Sequence, residues 1–254
     1  MGNGRAGIGA VASNREGVSG IETVILCGGK GTRAYPHTIE VPKPLLEVDG
    51  RPVLEHVMRI YAEQGFERFV LAAGYRSDLV SDFAGKLPDS WQTIVRDTGE
   101  ETNTGGRVWR CRHDVGDTFF VTYADGLGDV DLHELLAFHR SHPGAATLTT
   151  VPLPSQYGTL ELDGDGRVRD FKEKPVLREH RINAGFFVFD KRVFELWEGE
   201  DLEREVLPRL GAAGELFAFA HDGFWKSMDT YKESLDLTQL CRPGPPPWLR
   251  HSRV

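Results

Sequence analysis

A chain of 254 residues with 40% hydrophobic content is long enough to bury a sizeable core, as one large α/β domain or as one domain with a small appendage. Its formal charge of −8, from 30 basic and 38 acidic side chains, argues against a broad nucleic-acid or anionic-membrane surface, so a polyanion must be met by a local group of cations. Three scattered cysteines, Cys27, Cys111 and Cys241, odd in number and without C-x-x-C spacing, argue against a disulfide framework and a zinc cluster and fit a reducing cytoplasm.

Residues 1–20 are rich in Gly, Ser, Asn and Arg and lack an apolar core, which predicts a disordered extension that is neither signal peptide nor membrane anchor. The first strong element is an apolar strand, Thr23-Val24-Ile25-Leu26, that runs into Cys27-Gly28-Gly29-Lys30-Gly31-Thr32-Arg33. Glycines reach φ > 0 and carry no Cβ, so successive backbone N–H groups can converge closely on an anion; a plain tight turn would look the same. Lys30 and Arg33 add charge, and Lys43 follows between Pro42 and Pro44, whose fixed φ angles restrict its direction. The loop is not a P-loop, because Thr32 follows Gly31 where G-K-[ST] is needed. It is not a dinucleotide fingerprint either, since Ala34 stands in place of the third glycine.

Pro52 then opens a helix with Val53, Leu54, Val57, Met58, Ile60 and Tyr61 on its apolar face, ended by Gly65. Phe69 to Ala73 is a buried strand, and Ser77 caps a short helix carrying Leu79, Val80 and Phe83. Strand, helix, strand, helix implies a parallel sheet with right-handed crossovers. A weaker strand, Trp91 to Val95, leads through the polar connection Asp97 to Arg107 into a helix reaching Cys111. Thr118 to Tyr123 is the most strand-like run and ends in Ala124-Asp125-Gly126. Asp125 there can form a turn, cap a helix or hold a hard cation. Asp131 caps the following helix, and Asp129 reads as a turn residue.

Beyond Pro143 the pattern changes to successive strands: Thr147 to Val151, Gly158 to Leu162 and Val168 to Phe171, with Asp163-Gly164-Asp165-Gly166 as a hairpin turn. Lys172-Glu173-Lys174-Pro175 precedes Arg181 to Phe189, a buried strand in which Gly185 signals a bulge, a close ligand or tight packing. Amphipathic segments around Val193 to Trp197 and Leu202 to Leu210, short strands at Leu216 to Phe219 and Phe224-Trp225, and a helix from Asp229-Thr230 to Leu240 complete the pattern. Asp229 has the look of that helix's N-cap. Residues 242–254 are proline-rich and read as a loose tail. The histidines show no ligand spacing and read as surface or core-edge residues, and Trp225 reads as packing.

The motifs L-C-G-G-K-G-T-R, K-P-L-L-E-V-D-G-R-P-V-L, A-D-G, K-E-K-P, N-A-G-F-F-V-F and W-K-S-M-D-T stand in an order that resembles the sugar-1-phosphate nucleotidyltransferases from about Thr23 to Leu240. The D-T-G…T-G-G-R connection and G-F-W-x-x-M-D-T are most similar to the glucose-1-phosphate cytidylyltransferases. The resemblance implies a Rossmann-like α/β fold: an open, mostly parallel mixed sheet flanked by helices, with a small C-terminal β-rich sugar-binding portion. In that scheme residues 21–241 form one nucleotidyltransferase domain, its nucleotide-binding part at 21–142 and its sugar-binding part at 143–241.

It also implies Mg²⁺-dependent transfer of a nucleotidyl group from an NTP, CTP being favoured, to a sugar 1-phosphate, glucose 1-phosphate being favoured, with release of pyrophosphate. Leu26, Cys27, Gly28, Gly29, Lys30, Gly31 and Thr32 would bind the nucleotide, and Thr104, Gly105 and Arg107 would select the base. Arg33 would stabilise the departing pyrophosphate and Lys43 would hold phosphate at the reacting centre. Asp125 and Asp229 would share the metal. Lys174 would neutralise the sugar phosphate, with Glu173 and Asn183 on sugar hydroxyls; taken by itself, Lys174 before Pro175 reads rather as a solvated strand end. The physics agrees, because two polyanions must meet: each pair of unit charges at ~4 Å costs about 4 kcal/mol at an effective dielectric of 20.

The span from Gly74 to Asp97 is shorter than in the cytidylyltransferases, and Pro36 in A-Y-P-H-T is more like the thymidylyl and uridylyl branches. Base, sugar and assembly into a homo-oligomer therefore stay open, with UTP, dTTP or GTP as alternatives. A catalytically silent nucleotide-sugar-binding regulatory domain is the competing class; it has no need of Asp125, Asp229, Lys43 and Arg33 together. Neither nucleic acid nor membrane is expected as a partner, and the cytoplasm is the expected location.

Overall fold

The computed structural model describes residues 20–242 and 244–250. The expected extension at 1–20, apart from Gly20, and the end of the expected tail lie outside the described residues.

In chain order the first half holds strands β1 (Glu22–Leu26), β2 (Glu47–Val48) and β3 (Arg51–Pro52), helix α1 (Val53–Ala62), β4 (Arg68–Ala73), α2 (Ser77–Ala84), β5 (Gln92–Asp97), α3 (Thr104–Arg110), β6 (Thr118–Tyr123), β7 (Gly126–Gly128) and α4 (Leu132–Arg140). The second half adds β8 (Ala146–Pro154), β9 (Thr159–Leu162), β10 (Val168–Lys172), β11 (Val176–Asp190), α5 (Leu207–Ala212), β12 (Leu216–Ala220), β13 (Trp225–Ser227) and α6 (Tyr231–Leu240). One sheet of seven strands runs through both halves in the order β12-β8-β11-β6-β1-β4-β5. β1 is parallel to β4 and β6, β5 to β4, and β12 to β8, while β11 alone runs against its neighbours β6 and β8. This is the α/β Rossmann-like mixed sheet flanked by helices that the resemblance implies, the alternating pattern of the first half accounting for its parallel strands.

Because both faces are covered, the central strands are apolar on both sides rather than alternating with polar residues. Ile25, Leu71, Phe120 and Phe186 point into the core beneath α1, while Val24, Val70, Phe119 and Phe187 point into a second core against α3 and residues 202–210. Each of these side chains is fully buried, so truncating one of the phenylalanines to alanine costs about 3–5 kcal/mol.

β11 bends at Gly185, where φ is +81° and the register against β8 shifts between Asn183 and Phe187. A Cβ at Gly185 would stand 2.3 Å from the Tyr123 ring, so the bulge answers both a backbone and a packing demand. The Asp163–Gly166 turn joins β9 and β10 as read from the sequence, with Gly166 at φ +84°.

Several local expectations are corrected. Thr230, not Asp229, is the N-cap of α6: its side chain accepts from Glu233 N, while Glu233 Oε2 accepts from Asp229 N and Thr230 N at 2.7 Å each. Arg76, at φ +49°, occupies the cap position of α2 in place of Ser77. Asp129 is no exposed turn residue; it is buried and faces His221 Nε2 at 3.0 Å. His56 and His139 are core residues, 2% and 3% exposed, because each ring finds a polar partner inside, Val48 O and Thr147 Oγ1 respectively. The described part of the tail is docked: Trp248, 1% exposed, packs edge-on to His56 and beside Phe224. Among the described residues no helix is long and apolar enough to cross a membrane.

Candidate functional site

The carboxyl ends of β1 and β6 open into a cavity of about 540 Å³ lined by the glycine loop, Lys43 and the first residues of α3, with Tyr123 and Asp125 on one side and Ser227 and Asp229 on another. Open parallel sheets place ligands at this edge, because neighbouring loops diverge there. Gly31 adopts φ +61°, and a Cβ on it would stand 2.5 Å from Lys43 Cβ, so glycine is required both by the backbone and by the lysine stem beneath it. The loop then closes in a single 3₁₀ turn, Thr32–Ala34, with Ala34 N donating to Gly31 O at 3.0 Å.

Pro42 and Pro44 set Lys43 at the start of another 3₁₀ turn, with the residue only 9% exposed. Its Nζ lies 2.5 Å from Asp125 Oδ2 and 2.9 Å from Asp229 Oδ1. Arg33 Nη1 reaches the other oxygen, Asp229 Oδ2, at 2.9 Å. The two aspartates, far apart in sequence, meet because β7 pairs with β13, Gly126 opposite Ser227, and Met228 N donates to Asp125 O at 2.9 Å. Since Thr230 and Glu233 cap α6, the Asp229 carboxylate is left for the cations. Two carboxylates converging on one positive point are hard oxygen donors of the kind that hold a divalent cation together with phosphate oxygens. Among the described residues there is no group of three or more His, Cys, Asp or Glu arranged to hold a metal, so this pair is the candidate.

The remaining sequence candidates divide. Leu26, Cys27, Gly28, Gly29 and Gly31 line the cavity together with Arg33, Lys43, Asp125 and Asp229. Cys27 is no nucleophile, because burial pushes its thiol up to about 12. Lys30 is turned outward to Glu100 and Glu101, at 3.0 and 2.6 Å, and Thr32 begins the turn without facing the cavity. Glu173 and Lys174 are exposed and Asn183 is half-buried; none of the three lines the cavity. Lys174 holds φ +46°, and Asn183 Oδ1 accepts from Gly185 N at 2.8 Å.

Thr104 and Arg107 also line the cavity, while the side chains of the T-G-G-R connection bond to neighbouring parts of the protein. Arg107, 4% exposed, donates from Nη1 to Ala73 O, Thr98 Oγ1 and Gly99 O at 2.6–3.1 Å, and from Nη2 to Gly28 O and Glu100 O at 2.9 and 3.2 Å. It thereby clamps the loops after β1 and β5 to the end of β4, and burial lowers it from the ordinary guanidinium value. A Cβ on Gly28 would meet its Nη1 at 2.0 Å, so that glycine makes room for the clamp. Gly105 and Gly106 let α3 approach residues 200–202 closely, with Gly106 N donating to Glu200 O at 3.0 Å. Thr104 Oγ1 donates to Glu203 Oε2 at 2.7 Å.

Pro44, Thr102, Asn103, Tyr123, Ala124, Glu203 and Ser227 line the cavity and escape the sequence reading. Strand alternation could have found Tyr123, two residues before Asp125. Glu203 carries no such signal, being an exposed acidic position on an amphipathic segment 80 residues from the tyrosine it meets.

A protein-family model described as nucleotidyl transferase matches residues 22–239. The chain is 35% identical to the glucose-1-phosphate cytidylyltransferase of Salmonella typhi, over 90% of this chain and 98% of that one. It is 30% identical to the mannose-1-phosphate guanylyltransferase catalytic subunit beta of Xenopus tropicalis, over 90% of this chain and 68% of that protein. The crystal structure of HddC from Yersinia pseudotuberculosis complexed with GMP-PN superimposes with a TM-score of 0.68 at 22% identity, covering 86% of this chain and 98% of that one. With the family model spanning nearly the whole described chain and the cavity at the expected sheet edge, the protein belongs to the nucleotidyl transferase family, as an enzyme of its sugar-1-phosphate group.

Proposed function

We propose that this enzyme transfers a cytidylyl group from CTP to glucose 1-phosphate, forming CDP-glucose and releasing pyrophosphate. The observation that carries the reading is the Lys43–Asp125–Asp229–Arg33 cluster in the cavity of a chain matched almost end to end by a glucose-1-phosphate cytidylyltransferase. The nucleophile in such a transfer is already an anionic phosphate oxygen, so no strong base is needed; the barrier is the approach of two polyanions.

The pair Asp125 and Asp229 fits Mg²⁺, which takes one or two carboxylates and fills its shell with water and substrate phosphate. When bound there, the ion supplies charge neutralisation at the phosphates. The backbone N–H groups of Gly28 to Thr32 and the side chain of Arg33 hold the β- and γ-phosphates and the departing pyrophosphate. Lys43 exchanges a carboxylate partner for a phosphate oxygen at the reacting phosphorus. Its buried stem and flanking prolines fix the path of that exchange, which is positioning plus electrostatics rather than acid–base chemistry. Lys174, Glu173 and Asn183 are proposed for the sugar phosphate, Lys174 on its phosphate and the other two on hydroxyls.

The test is a panel of CTP, UTP, dTTP and GTP crossed with glucose 1-phosphate and mannose 1-phosphate, read as pyrophosphate release with Mg²⁺ present. CTP with glucose 1-phosphate should be turned over fastest. Preference for GTP with mannose 1-phosphate would move the assignment to the guanylyl branch.

A further inference from the structure

We propose that Glu203 is a positioning residue for this reaction, tying the cavity wall that carries Thr104 to the wall that carries Tyr123; the proposal rests on the reading of the cavity given above. Glu203 Oε2 accepts from Thr104 Oγ1 at 2.7 Å, and Oε1 accepts from the Tyr123 hydroxyl. Thr104 Oγ1 also accepts from Leu202 N at 3.0 Å, and the Tyr123 hydroxyl faces Asn183 Nδ2 at 3.4 Å. One carboxylate therefore joins α3 to β6, whose Tyr123 hydroxyl in turn accepts from Asn183 of β11. With their protons committed to Glu203, both hydroxyls can present only acceptor lone pairs to the cavity, which suits the O–H and N–H donors of a nucleoside or hexose. Burial raises the Tyr123 phenol further above its ordinary value, and the neighbouring carboxylate acts the same way, so it stays a donor toward Glu203.

The backbone that carries Glu203 is fixed without help from its side chain. Leu202 is fully buried, Asp201 Oδ1 accepts from Glu203 N and Arg204 N, and Asn103 Nδ2 donates to Asp201 Oδ2 at 3.1 Å. Glu205 Oε2 accepts from Glu200 N and Asp201 N. Residues 202–206 form a wide π-helical turn, a feature frequent at functional sites, and Glu203 itself is exposed toward the cavity. The side chain is thus mounted by the fold yet not needed by it.

Glu203→Ala and Glu203→Gln are compared with the unaltered enzyme by pyrophosphate release, varying CTP and glucose 1-phosphate, and by thermal unfolding. Loss of two hydrogen bonds should raise both KM values about fivefold in the alanine variant, with a melting temperature lower by no more than a few degrees. The glutamine variant accepts one bond but must donate the other, which turns one hydroxyl proton toward the cavity, so its KM values should rise but by less than those of the alanine variant. Alanine-variant KM values within about twofold of the unaltered enzyme, or an alanine variant that is unfolded at the assay temperature, would overturn the proposal. An equal rise in both variants would overturn it too, because the glutamine side chain still ties the two walls. An unaltered enzyme that turns over no NTP with any sugar 1-phosphate would sink the functional reading, and this proposal with it.

Discussion

Two cationic groups flank the same glycine loop, and they are bound in opposite ways. Arg107 spends its guanidinium nitrogens on carbonyl oxygens and one hydroxyl, whereas Lys43 and Arg33 are held by carboxylates. A carbonyl has no other cation to turn to, so removing Arg107 strands several buried acceptors at once. A carboxylate can exchange an ammonium for a metal ion, and the released ammonium can move to phosphate. The difference separates the charges that build the cavity from the charges that can do chemistry in it, although both are arginine or lysine beside one loop.

Substitution can break this contrast. Lys43→Met should lower kcat/KM for pyrophosphate release by about 10²–10³-fold, the loss typical of one positioned electrostatic group, while circular dichroism stays native. Arg107→Met should do the reverse first: about 3 kcal/mol of stability lost, read as a melting temperature lower by several degrees, because Gly28, Ala73, Gly99 and Glu100 carbonyls lose their donor. If Arg107→Met melts normally and loses only turnover, the distinction between building and reacting charges fails.

The smallest effect sharpens the contrast from the far side of the sheet. His142 Nδ1 accepts from Gly144 N at 3.1 Å, so its proton is on Nε2 and points to Thr147 Oγ1 at 2.8 Å; the Thr147 hydroxyl in turn donates to His139 Nδ1 at 2.8 Å. Burial lowers both histidines, and His56 as well, from the ordinary value of 6.5. The unfolded chain therefore binds more protons as pH falls below about 6.5, and stability present above that pH is lost through the acid range. Thermal unfolding at pH 7.5 and pH 5 should show the lower melting temperature at pH 5. A His139→Gln, His142→Gln double variant should show a smaller difference between the two pH values, and an unchanged difference would contradict the assignment.

Local signals were legible and long-range ones were not. Gly31, Arg33 and Lys43 lie within one stretch whose glycines and prolines dictate backbone shape, so residue type allowed anion binding there, although a plain tight turn fitted the glycines equally well. Asp125 was legible as an aspartate just beyond the most strand-like run. The commitment of Arg107 was not, since its acceptors are mostly main-chain carbonyls of two loops and a strand end, which no side-chain pattern encodes. The freedom of Asp229 was half-written: Thr230 and Glu233 have the T-x-x-E spacing of a capping box, which displaces the neighbouring aspartate from the cap. Trp248 was hidden by proline-rich surroundings, although a single large aromatic can anchor such a segment by burial alone.

The central claim is that Asp125 and Asp229 serve substrate chemistry rather than the fold. Asp125→Asn tests it most directly, assayed for pyrophosphate release from CTP and glucose 1-phosphate and checked by circular dichroism and thermal unfolding. The account predicts turnover reduced by about 10³-fold or more in a natively folded chain. Near-normal turnover by the folded variant would contradict it.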